Sequence, residues 1–156
     1  MTRTTAREIA ILLGFSAAAE GESTEELLDR FFDREHYATL GEENELFAEY
    51  PNEKQMNYIR GLVQLIAEHR PELDGYIEKY AEGWKVERIS RTAAAILRCA
   101  MCEILYLEDV PDAAAINEAV ELAKRYEEED TVSASSYFFA SSTASLMAAA
   151  SGTSSR

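Results

Sequence analysis

One stretch constrains the fold more than any other. In "RTAAAILRCAMCEILYL", residues 91–107, the apolar side chains do not keep to one face. Ala95, Ile96, Cys99, Ala100, Ile104 and Leu105 spread around a helical wheel. A helix that is apolar on several sides has to be central, with other elements wrapped around it. The rest of the chain offers elements of the right kind. Its hydrophobic period is helical nearly throughout, punctuated by only 3 prolines and 7 glycines, and no convincing strand pattern occurs. The expected class is all-α, a bundle of about six or seven helices.

The boundaries follow from punctuation. A first helix over about Thr2–Ala19 turns Ile9, Leu12, Leu13 and Ser16 to one side and ends near Gly21. "STEELLDRFF" opens a second with Ser23 as N-cap and Glu26 three residues on, a capping box. The polar stretch from Glu35 to Asn52 reads as a linker with one short turn around residues 43–48. A third helix over about 53–70 carries the stripe Met56, Ile59, Val63, Ile66. Pro71 fits the first turn of a separate fourth helix, which Gly83 stops. Ser90 caps the central helix, "EDVPD" breaks it, and Asp112 caps a sixth helix to about Tyr126 with Ile116, Ala119, Val120 and Ala123 inward.

Composition narrows the function. With 156 residues the chain can bury a real core, and 47% hydrophobic with 28% charged residues is ordinary for a soluble globular protein. No run of 18 apolar residues is present, and the apolar run near the start is broken by Gly14 and Ser16, so neither a membrane span nor a signal peptide is expected. A net charge of -14 argues against a broad electrostatic nucleic-acid surface. The charge is uneven, however: residues 1–19 hold Arg3 and Arg7 against a single acid, Glu8. Any RNA site should be small, lie at that end, and be helped by a basic partner. Cys99 and Cys102 fall mid-helix, far from His36 and His69, so they read as buried reduced thiols suited to a cytoplasm rather than as metal ligands. No nucleophile–base pair or glycine-rich phosphate loop accompanies the acids, so no enzyme activity, cofactor or metal is expected.

The segment "AAAILRCAMCEILYLEDVPDAAAINEAVELAKRYEEED" resembles the NusB family of bacterial transcription antitermination factors. The resemblance rests on "ILR" with a glutamate five residues later, the Val-Pro turn, and "INEAVELAK"; "AREIAILLGFS" and "LDGYIEKY" extend it over residues 1–133. It implies an all-α fold of two small helical subdomains. It also implies binding of boxA-type RNA together with the small-subunit ribosomal protein NusE. Other Nus factors and RNA polymerase would be engaged indirectly, in antitermination of ribosomal RNA operons; homo-oligomers are compatible with it. Two alternatives stay open: an RNA-binding module of the kind found at the front of some RNA methyltransferases, and a helical interaction scaffold with no RNA role.

Carried over residue by residue, the resemblance assigns RNA contact to Arg3, Arg7 and Asp130, and a partner-facing role to Phe15. Each has a plainer reading: a solvated helix end for the arginines, a core position for Phe15, a helix cap for Asp130. Arg98, Glu103, Asn117 and Glu118 are the signature residues and read as structural. An inward Arg98 needs a carboxylate, for which Glu118 is a candidate. Glu42, Glu43 and Glu45 make a solvated face or meet a basic protein.

The resemblance stops at Ser133. In the family a phenylalanine and [VI]-N-G follow; here residues 134–156 are a Ser/Ala-rich tail, and no acid occurs after Asp130 although the chain holds 29. The expectation is a shifted reading frame: codons TTC-GTC-AAC-GGC-ATC-C, encoding F-V-N-G-I, give "SSTAS" (Ser141–Ser145) when read one base late. Such a tail was never matched to a core, so weak packing of residues 134–156 is expected.

Overall fold

The computed structural model describes residues 1–20, 23–80, 91–107 and 110–129. Among these, every regular element is helical: α1 (Arg3–Glu20), α2 (Thr24–Phe31), α3 (Arg34–Glu43), a 3-10 turn (Glu45–Phe47), α4 (Glu53–Tyr80), α5 (Arg91–Tyr106) and α6 (Asp112–Glu129). The chain divides into two compact units, Met1–Glu68 and His69–Arg156. The expected stop at Gly83, the Ser90 cap and the packing of the tail lie outside the described residues.

In the first unit α1 packs on α2, α2 on α3, and α3 on the 3-10 turn. The core is Ile9, Leu13, Leu27, Leu28, Ile59 and Leu62, all at most 2% exposed. Capping is local and explicit. Ser23 Oγ accepts from the Glu26 amide at 3.2 Å, as the capping pattern predicts, and Asp33 Oδ2 accepts from the His36 amide at 3.1 Å.

Helix α3 corrects the linker reading. Its sequence, REHYATLGEE, buries a single side chain, Tyr37, so no stripe announces it. What holds it is tertiary. Tyr37 lies at ring distances of 5.9 Å from Phe32, 5.8 Å from Phe47 and 5.2 Å from Tyr50, and its hydroxyl donates to the Glu49 carbonyl at 2.8 Å. Gly41 lets the 3-10 turn fold back on α3: a Cβ there would lie 2.6 Å from the Phe47 carbonyl oxygen, a backbone atom that cannot move aside.

Burial, with Tyr50 and Glu49 nearby, pushes the Tyr37 hydroxyl from its ordinary 10 up to about 12. The folded chain therefore holds this proton more tightly than the unfolded chain. The resulting stability is fully present below pH 10 and is lost as pH rises towards about 12. Urea midpoints should fall more steeply across that window in the wild type than in Tyr37→Phe; parallel curves would show that Tyr37 is not the titrating group.

Helix α4 is a second correction. Residues 53–80 form one helix with Pro71 inside it, not two helices parted at Pro71. Asp112, read as the cap of α6, is instead its first residue, and the carbonyl of Pro111 accepts from the amides of Ala114 and Ala115.

In the second unit α5 packs on α6. Helix α5 is buried on nearly every side, with Ile96, Leu97, Cys99, Ala100, Met101 and Cys102 at most 3% exposed, as its all-round apolar pattern requires. Among the described side chains of α6, Ala115, Ala119 and Leu122 are buried; those of Ile116, Val120 and Ala123 lie outside the described residues. The end of α4 meets α5 through side chains: His69 stacks on Tyr106 at 4.3 Å, and Arg98 meets Asp74.

Candidate nucleic-acid interface

The basic end of the chain is built from two helix starts. Thr2 closes the first turn of α1: its Oγ1 accepts from the Thr5 amide at 3.1 Å and its carbonyl from the Ala6 amide at 3.0 Å. That turn contains no acid, whereas α2, α3 and α4 each place glutamate in theirs. The first turn of α1 thus adds no acidic side chain of its own to its positive end, while the N-terminal ammonium pairs with Glu49. At the start of α4, Asn52 and Gln55 form a reciprocal capping box, with both bonds at 2.9 Å. Gln55 also reaches across, its Nε2 donating to the Met1 carbonyl at 2.7 Å, and so ties the beginning of the chain to α4.

This brings Arg3 over the Tyr58 ring, with Cζ 4.3 Å from the centroid. Beside the stack lies a recess of about 190 Å³ lined by Arg3, Ala6, Asn52, Lys54, Gln55 and Tyr58. Its contents are a guanidinium on an aromatic face, an exposed ammonium and two side-chain amides. Such a set suits a phosphate with an adjoining unstacked base: cations for the charge and the ring for stacking, while the two amides hold the helix starts in place.

Of the residues assigned from the sequence, Arg3 is exposed and lines this recess. Arg7 is only 4% exposed, which offers a phosphate little surface. Its burial changes what a substitution should do. Arg7→Ala should lower stability by about 2 kcal/mol, because the packing of a buried side chain is lost. Urea unfolding with RNA titration of the same variant checks this; unchanged stability with weakened RNA binding would restore Arg7 to the surface role. Asp130 lies outside the described residues. Phe15 falls within α1, but its side chain is outside what the structure describes.

The signature residues separate. Glu103 is fully buried and accepts from Cys99 Sγ at 3.5 Å. Arg98 donates to Asp74 from Nε at 2.6 Å and from an Nη at 3.2 Å, a two-pronged pair with side chains 13% and 27% exposed. Asn117 is exposed on α6 and Glu118 half-buried. Both cysteines are buried and neither is in a disulfide, and burial beside Glu103 pushes the Cys102 thiol up to about 12, so it is no nucleophile at neutral pH.

Sequence reasoning missed three residues: Lys54, Tyr58 and Asp74. A signal existed for the first pair, a lysine and a tyrosine four residues apart and hence on one face of α4. Among the described residues, no group of three or more His, Cys, Asp or Glu is placed to hold a metal ion, and no helix is long and apolar enough to cross a membrane.

The comparisons with known proteins agree with this architecture. The family model described as "NusB family" matches residues 4–133. The transcription antitermination protein NusB of Acetivibrio thermocellus is 35% identical over 156 residues, covering 100% of this chain and 98% of that protein. A solved structure of T. maritima NusB superposes with a TM-score of 0.71 at 23% identity, over 97% of this chain and 92% of that one. A chain in a structure solved as a plectonemic RNA supercoil gives 0.68 at 24% identity, over 94% of each. At those identities the two structures speak for the fold alone; the family match and the Acetivibrio relative go further, and on them the chain belongs to the NusB family.

Proposed function

We propose that this chain is an RNA-binding transcription antitermination factor, without enzymatic activity, working in the cytoplasm. Its RNA is of the boxA type, bound jointly with NusE, and other Nus factors and RNA polymerase are reached through that complex. The observation that carries the reading is the Arg3–Tyr58 stack with Lys54 at its side, a small cationic recess on a chain of net charge -14. Two cations supply little non-specific affinity, which fits a factor needing a basic partner. Phe15 is assigned to the partner face and Asp130 to the edge of the RNA surface. Arg7, one turn further along α1, is buried and carries less of the RNA contact than Arg3. The tail after Ser133, if frame-shifted, leaves RNA binding weaker than in relatives with the F-[VI]-N-G motif.

The test is a titration of boxA-type RNA with and without NusE, using wild type, Arg3→Ala, Lys54→Ala and Tyr58→Ala. Loss of the stacking ring should cost about 1–3 kcal/mol of binding. Loss of Lys54 should reduce the salt dependence of log K by about one unit of slope. Thermal stability should change little for Arg3 and Lys54, which are exposed. Unchanged RNA affinity in all three variants would remove the recess from the interface.

A further inference from the structure

A second surface of the first unit, unconnected with the RNA reading, has the build of a protein-docking groove. Between α3 and the 3-10 turn lies a groove of about 370 Å³. Tyr37, Ala38, Phe47 and Tyr50 form its walls, with Arg34 and Glu42 at the rim. The aromatic part is preorganised. Tyr37 meets Phe47 and Tyr50 edge to face at 5.8 and 5.2 Å. Both hydroxyls are committed to backbone carbonyls, Tyr37 to Glu49 at 2.8 Å and Tyr50 to Phe32 at 2.7 Å. An apolar side chain seated here would therefore order little that is not already ordered.

Charge decides between possible occupants. Glu42 lines the groove, and Glu43 and Glu45, within three residues of it in sequence, are exposed. The cation at the rim, Arg34, is stacked over Tyr50 with Cζ 4.2 Å from the ring centroid. An aromatic floor alone would also suit a nucleobase, but the three carboxylates repel a phosphate backbone and attract cations. We propose that this groove docks a basic polypeptide segment of a partner protein, inserting one aromatic or large aliphatic side chain between α3 and the 3-10 turn while flanking lysines or arginines meet Glu42, Glu43 and Glu45. The arrangement gives specificity in two parts, an apolar anchor in the groove and charge at its edge.

The experiment is an NMR titration of the full ¹⁵N-labelled chain with the acetylated peptide Gly-Lys-Lys-Trp-Lys-Lys-Gly. Two control peptides replace the tryptophan by glycine, or the lysines by glutamate. The expected result is saturable shifts at the amides of Ala38, Gly41 and Ala48, at least tenfold weaker with either control. The double variant Glu42→Lys, Glu45→Lys alters exposed side chains only, keeps its helical circular dichroism, and should bind the basic peptide at least tenfold more weakly. No saturable shifts at millimolar peptide would overturn the proposal. So would equal binding of the glutamate peptide, unchanged affinity in the double variant, or the same amides responding to a single-stranded RNA oligomer.

Discussion

Asp74→Ala should lower the free energy of unfolding by about 3 kcal/mol, at the low end of the cost of breaking a buried ion pair. The Arg98 guanidinium is 13% exposed and donates twice to this carboxylate, at 2.6 and 3.2 Å. With Asp74 gone it keeps its charge and most of its burial but loses the group that offsets its desolvation. The pair is not fully shielded, since Asp74 is 27% exposed, and water entering the space limits the loss. Asp74→Asn should be milder, because an amide oxygen can still accept one of the two bonds. Urea or thermal unfolding distinguishes the cases. A loss below about 0.5 kcal/mol would class the pair with ordinary surface bridges and end its role as the tie between α4 and α5.

Pro71→Ala should act in the opposite direction and stabilise the chain by about 2 kcal/mol. Proline in a helix interior is about 3 kcal/mol less favourable than alanine, because it lacks an N–H and its ring crowds the preceding turn. Up to about 1 kcal/mol of that is returned when the unfolded chain gains freedom on losing proline. Pro71 is exposed, so no packing is lost to offset the gain. The sign separates two architectures. A continuous α4, as observed, predicts stabilisation. Two helices parted at this point would put Pro71 in a first turn, where it is well placed, and the substitution would then be neutral or destabilising. A rise in the urea midpoint decides for the continuous helix.

The same helix shows how far the sequence could be read. The sequence pattern up to residue 130 predicts about six helices, and six α-helices occur among the described residues, but the agreement hides two differences that cancel. α3 reads as linker in the sequence because Tyr37 is its only buried residue, and one anchor per helix leaves no period to detect. The sequence predicts a break in α4 because proline is a strong local stop signal, while the contacts that carry the helix past it, Leu73 in the core and Asp74 on Arg98, come from distant sequence. The candidate site divided in the same way. Arg3 was visible as a basic residue at an acid-poor end. Its stack on Tyr58 depends on where α4 starts relative to α1, and the burial of Arg7 is likewise a tertiary outcome that its local sequence does not announce.

Local chemistry therefore determined the helical class, the cap at Ser23, the central place of α5 and the location of the basic end, because each follows from residues within a few turns of one another. The tertiary structure decided which carboxylate answers Arg98, which arginine faces solvent, and whether α4 runs through Pro71. Those outcomes rest on partners 24 or more residues away, such as Asp74 for Arg98 and Tyr58 for Arg3. A helical period specifies which face is buried but carries no information about what that face meets.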